Sequence, residues 1–157
     1  MAESEFQIDK SQYCTFSVAG MFFGIDVLMV QEVLRSQEIT RVPQAPGVIE
    51  GLINLRGQIV TAVDMRKRLG VSPRAADVQP INIVVRTEDS SASLLVDEIG
   101  DVLEVEASAF ELPPDHLPAQ AREIIRGVCK LKDRLLLVLN TDRTLDLSAS
   151  VQAHGMT

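Results

Sequence analysis

Few residues in this chain have the types and spacing that reactive chemistry needs. His116 and His154 are its two histidines. The first lies in the Pro-rich run Leu112-Pro-Pro-Asp-His-Leu-Pro118, the second in a polar C-terminal stretch. A metal centre or a Ser–His or Cys–His pair needs partners placed beside them, so both read as solvated loop residues. Cys14 and Cys129 sit in apolar, strand-like runs. Two cysteines so far apart make no disulfide framework, and buried thiols in a reducing compartment are expected. There is no phosphate-binding glycine loop ending in Lys-Ser or Lys-Thr and no Gly-x-Gly-x-x-Gly. Asp97, Glu98, Asp101, Glu104 and Glu106 crowd into one stretch. They read as solvated edges of strands and a turn, or as an acidic patch that steers a basic partner. No metal, no cofactor and no catalysis are expected.

What remains is binding chemistry, and it centres on Asn54-Leu55-Arg56-Gly57. Glycine permits a positive φ at a turn, and Asn54 can satisfy backbone groups beside it. Arg56 offers a fixed charge and five donors on a planar head.

These residues must be held by a β-rich body. Of the 157 residues 46% are hydrophobic but only 4% aromatic, with no Trp. The core is therefore built from Val, Ile and Leu, and β-branched side chains suit strands. The formal charge of −7 is uneven. Residues 1–79 hold 8 basic and 9 acidic residues, and residues 80–157 hold 7 and 13. The one basic run, Arg66-Lys67-Arg68, reads as a solvated helix turn. Phosphate neutralisation dominates nucleic-acid affinity, so such a chain makes a poor nucleic-acid ligand. No apolar run approaches the ~20 residues that span a bilayer. The polar N-terminus MAESEFQIDK lacks signal-peptide chemistry, so a cytoplasmic, soluble chain is expected.

Along the chain, Gln12–Val18 and Met21–Ile25 read as a hairpin across Ala19-Gly20. Asp26 can cap a short helix with Val27, Val30 and Leu34 on one face. Ile49–Leu55 and Gln58–Asp64 form a hairpin, followed by a helix over Met65–Leu69 that ends at Gly70. Ile81–Val85, Ser93–Val96 and Val102–Val105 read as strands, and residues 107–122 as irregular. Ile124–Leu131 and Leu135–Leu139 make a last hairpin, its second strand apolar enough to be buried on both faces. Thr141–Leu145 is a helical turn.

One pattern occurs twice. Residues 48–69 lie over 124–145 without a gap, at an offset of 76, so that Ile49, Gly51, Leu52 and Leu55 meet Ile125, Gly127, Val128 and Leu131. Ile59, Val60 and Val63 meet Leu135, Leu136 and Leu139. Upstream, Phe23-Gly-Ile-Asp26 lies over Leu94-Leu-Val-Asp97, and Val33-Leu34 over Val102-Leu103. A short run of strands can close into a small barrel. Two such units, marginal alone, gain by packing together. The expected fold is mainly β: two five-stranded barrels side by side, with short helices. The first spans residues 11–79 and the second 80–147, with the last segment free to cross to the first. Residues 1–10 and 148–157 are expected to be tails.

Gly24-Ile-Asp-Val-Leu-Met-Val-Gln-Glu-Val33, Thr40-Arg-Val-Pro, Ala45-Pro-Gly-Val-Ile-Glu-Gly51, Asn54-Leu-Arg-Gly57, Val96-Asp97, Ile125-Arg-Gly-Val128 and Leu136–Leu139 appear in this order. Together they resemble the CheW family over roughly residues 12–147. The resemblance implies two SH3-like barrels and a non-catalytic adaptor. Such adaptors join the tip of a methyl-accepting chemoreceptor to the regulatory domain of a CheA-type histidine kinase, in cytoplasmic arrays under membrane-bound receptors. It also implies residue roles. Val27, Val30 and Glu32 match kinase-binding positions. Asn54, Arg56, Gly57, Val96 and Gly127 match the receptor-binding side, and Arg56 is further implied to pair with Glu32. Gly51 and Gly127 match structural glycines. Glu98 stands where the family often has Gly, and Ser91-Ala-Ser93 replaces a more apolar stretch, so the receptor-facing side of the second unit is expected to differ. The alternative is the same kind of adaptor in a pathway controlling pili, development or a second messenger.

Overall fold

The computed structural model describes residues 10–146 except 36 and 89. His154 and the expected tails, Lys10 apart, lie outside the described residues. The chain is mainly β. Among the described residues, eleven strands run β1 Lys10–Val18, β2 Met21–Asp26, β3 Val30–Leu34, β4 Ile49–Leu55, β5 Gln58–Asp64, β6 Ile81–Arg86, β7 Ser91–Val96, β8 Glu98–Glu106, β9 Phe110–Glu111, β10 Ile125–Lys130 and β11 Leu135–Leu139. Three short helices are interspersed: α1 Met65–Arg68, α2 Ala119–Ile124 and α3 Thr141–Leu145.

The strands form two sheets. Sheet A has the order β8-β1-β2-β11-β10-β9, and sheet B the order β3-β6-β7-β5-β4. Each takes strands from both sides of the 79/80 division. Hairpin β4–β5 joins sheet B through a parallel pairing of β5 with β7, with Val63 opposite Leu94. Hairpin β10–β11 joins sheet A through a parallel pairing of β11 with β2, with Leu137 opposite Phe23. The repeat is therefore a structural unit of hairpin plus helix. Even its irregularities match: the register slips between Ile49 and Gly51 in one copy and between Ile125 and Gly127 in the other.

The largest of three buried clusters is shared by both sheets. Phe16, Phe23, Ile25, Leu137 and Leu139 from sheet A pack in one cluster with Val63, Ile83, Val85, Leu94 and Val96 from sheet B. Each such side chain stabilises by roughly 1.5–3 kcal/mol when fully removed from water. Leu136–Leu139 is buried at every position, as its unbroken apolar run requires. Both cysteines are free and buried.

Three expectations need correction. The helix expected from Asp26 to Leu34 is a single 3-10 turn, Val27–Met29, followed by strand β3. Val30 and Leu34 are four apart, a spacing that fits a strand face as well as a helix face, and β-branched valine tips the balance to extended backbone. Residues 107–122, expected to be irregular, contain β9 and most of α2, which starts on the good helix formers Ala119 and Ala121. The two-residue β9 also makes sheet A six-stranded rather than five.

The third concerns charge. Asp97, read as a solvated turn residue, lies at the crossover between β7 of sheet B and β8 of sheet A, with its side chain only 17% exposed. Arg66 donates from Nε (3.1 Å) and Nη2 (2.7 Å), Arg74 from Nε (3.0 Å), and the Ala19 N–H from 2.8 Å. Burial pushes the Asp97 carboxyl up, but the hydrogen bonds from Arg66, Ala19 and Arg74 outweigh it and hold the carboxyl below the ordinary aspartate value of 3.8. Arg68 in the same basic run is buried. It donates to the carbonyls of Thr144 (3.1 Å) and Arg143 (2.9 Å), satisfying the free C-terminal end of α3. Thr144 is the residue that Arg68 meets in the repeat, so the two copies touch at equivalent points.

A group whose pKa falls on folding adds stability above its unfolded pKa, and that stability is lost as pH drops through the folded value. Asp97→Asn is therefore expected to destabilise the protein at pH 7. The gap between the two proteins should narrow below about pH 4. Urea midpoints measured from pH 7 to pH 2.5 check this.

Candidate functional site

Strands β3 and β4 are the two edges of sheet B, and one ion pair ties them. Arg56 donates from Nη1 to Glu32 Oε2 (2.7 Å) and from Nη2 to Oε1 (2.9 Å). Such a fork fixes direction as well as distance. The Arg56 side chain is 76% exposed and that of Glu32 only 19%. The hydrogen bonds from Arg56 hold the Glu32 carboxyl below its usual range. Because solvent reaches the arginine freely, the value of the pair is geometric.

The local backbone explains how Arg56 gets there. β4 and β5 are joined by the two residues Arg56-Gly57, between the paired Leu55 and Gln58. Both have positive φ, 52° and 87°, as tight hairpins of this hand require. Glycine takes that conformation freely. For arginine it costs on the order of 1 kcal/mol or more, which the fork to Glu32 helps offset. Asn54 supports the turn by accepting the Gly57 N–H at Oδ1 (2.9 Å).

Asn54, Arg56, Gly57 and Glu32 therefore come together. Val27, in the 3-10 turn, and Val30, at the start of β3, are half-buried, and Val30 packs against the core. Val96 does not belong on a contact surface. It is a core residue, fully buried, because β7 is the central strand of sheet B and is covered by sheet A. Gly127 is also buried, and a Cβ there would sit 3.3 Å from the Glu111 carbonyl of β9. Gly51 is tighter still. A Cβ would be driven into the carbonyl of Thr40, which pairs with Leu52, and would come within 2.6 Å of Ile39 Cγ2.

Two apolar residues were missed. Leu28 is 88% exposed in the turn before β3, and Ile59 is 62% exposed just past Gly57. The signal was there for Leu28, an apolar residue out of phase with Val27, Val30 and Leu34. Ile59 shares a face with Val63, but it lies at the hairpin tip, beyond the reach of the core. Gln31, Gln58, Arg86, Thr87, Glu88, Ser90 and Ser91 line a polar hollow of about 180 Å³ in the same region. A cleft of about 540 Å³ runs between the loop after β6 and α3, bordered by Met29, Glu88, Asp142 and Leu145. His116 is an exposed loop residue. Among the described residues no cluster of His, Cys, Asp and Glu could hold a metal, and no helix is long and apolar enough to cross a membrane.

Gly51→Ala is expected to cost about 1–3 kcal/mol through overpacking. Gly127→Ala, with a longer closest approach, should cost less. Thermal melts of the two variants side by side give the order.

Comparison with known proteins gives the chain's relatives. Residues 12–149 match the CheW-like domain family. Chemotaxis protein CheW of Bacillus subtilis is 31% identical over 138 residues, 88% of each chain. Protein PilI of Pseudomonas aeruginosa is 30% identical over 115 residues, 72% of this chain and 64% of its own. The crystal structure of the scaffolding protein TtCheW from Thermoanaerobacter tengcongensis superposes with a TM-score of 0.74 at 30% identity, covering 83% of this chain and 88% of that one.

Proposed function

The chain belongs to the CheW-like domain family, a family of non-catalytic scaffolds, and from that premise we propose that it joins the cytoplasmic tip of a chemoreceptor to the regulatory domain of a CheA-type histidine kinase. The observation that carries this reading is the Glu32–Arg56 fork across the open side of sheet B, flanked by exposed apolar side chains. An adaptor needs such a surface: apolar anchors supply binding energy, and charged neighbours set register and partner choice. The kinase domain docks on the turn and strand at Val27–Glu32, with Leu28 as its most exposed anchor. The receptor reads the Asn54–Gly57 turn, and its helical hairpin lays an apolar face against the surface beside it. The protein works in the cytoplasm, held under the membrane by its receptors.

A second reading has its own support. Identity to protein PilI is close to that shared with the chemotaxis proteins. In this reading the same adaptor serves a chemosensory pathway with an output other than swimming. Co-purification from the native cell separates the two by the receptor and kinase recovered.

Two substitutions test the surface without touching the core. Leu28→Asp is expected to weaken kinase binding at least tenfold with an unchanged melting temperature. Arg56→Asn removes the guanidinium while placing at positive φ a residue that tolerates it, so the fold is kept and receptor control of the kinase is lost. Titration calorimetry and a reconstituted kinase assay check both. Full binding by the first variant and full control with the second would overturn the reading.

A further inference from the structure

More of the fold converges on Asp97 than on any surface charge described above. The chain leaves sheet B at Val96 and enters sheet A at Glu98, so Asp97 is the sole residue of that crossover. Its backbone N–H donates to the Ser17 carbonyl of β1 in sheet A (3.0 Å). Its carboxylate takes Arg66 from α1, which follows β5 of sheet B, and Arg74 from the connector before β6. The same carboxylate accepts the Ala19 N–H from the β1–β2 turn of sheet A. Ala19 has φ 51°, a strained value for a residue with a side chain. Arg66 donates on to the Ser72 carbonyl and Arg74 to the Leu95 carbonyl, so both cations are themselves held. The equivalent residue in the other copy, Asp26, caps its own turn by accepting the Leu28 N–H. The repeat therefore does not demand a clamp at this position.

We propose that Asp97 is the positioning residue of the scaffold: its carboxylate, gripped from both sheets, fixes their relative orientation and hence the geometry in which two partners are held. The inference rests on the adaptor reading given above. Apolar contacts between the sheets are non-directional, whereas a carboxylate with four directed donors fixes direction as well as distance.

The test separates geometry from binding. Spin labels at Ser91→Cys in sheet B and Lys130→Cys in sheet A report the inter-sheet distance by pulsed dipolar spectroscopy; both positions are exposed and both native cysteines are buried. The native chain is expected to give one narrow distance distribution. Asp97→Asn should broaden or shift it, and Arg74→Gln should do so by less, since Arg66 keeps its two bonds. Without labels, each variant is expected to bind the kinase domain and the receptor fragment singly within about twofold of the native affinities, while receptor control of the kinase falls at least tenfold for Asp97→Asn. If Asp97→Asn does not fold, Arg74→Gln carries the same comparison. Unchanged distance distributions would overturn the clamp. So would loss of control in step with lost single-partner affinity, the mark of simple destabilisation. If the native protein itself brings no receptor control to a kinase, the adaptor reading fails, and the distance measurement still decides the clamp.

Discussion

The parallel pairings of β5 with β7 and of β11 with β2 are the constraint on which the rest of this structure depends. Each inserts a hairpin from one half of the chain into a sheet that also holds strands from the other half. β11 lies between β2 and β10, and β5 between β7 and β4. Removing either hairpin strips an interior strand from its sheet and uncovers the cluster that unites Phe23 and Leu137 with Val63 and Leu94. Neither half can bury its apolar faces alone, which is how two units of marginal size become one stable body.

A body of this kind suits a protein that acts by touching others. The described residues place no reactive group in a closed site. They invest in directional contacts where the sheets are open or change over. In sheet A the free side of β10 is covered by β9. In sheet B the edge strands are tied by the Glu32–Arg56 fork, and Arg56 holds a left-handed backbone to reach it. At the crossover Asp97 binds two arginines and a backbone N–H. On the adaptor reading, the first contact shapes a docking surface and the second sets the angle at which it is presented.

Much of the architecture was legible in the residues. The offset of 76 between Ile49–Leu69 and Ile125–Leu145 marks a hairpin and helix in both places, down to the bulge beside Gly51 and Gly127. The unbroken apolar run at Leu135–Leu139 marks a strand covered on both faces. The turn at Arg56-Gly57 follows from its glycine and from Asn54. What could not be read depends on contacts distant in sequence. Asp97 meets Arg66 across 31 positions and Ala19 across 78, and in the sequence it looks like any acid in an acidic stretch. Arg68 is buried because carbonyls of α3 wait 75 and 76 residues away. The resemblance puts Val96 on a contact surface, but its strand is the central one of sheet B and buries it. β3 reads as helix in the sequence because a spacing of four residues serves both periodicities.

Native-state hydrogen exchange addresses the union of the two sheets most directly. Amides of β2 and β11 in sheet A and of β5 and β7 in sheet B should open with the same free energy, equal to that of global unfolding, and with the same denaturant dependence. If one sheet's amides exchange through a separate, lower-energy opening while the other sheet stays protected, the two sheets are independent units and this account is contradicted.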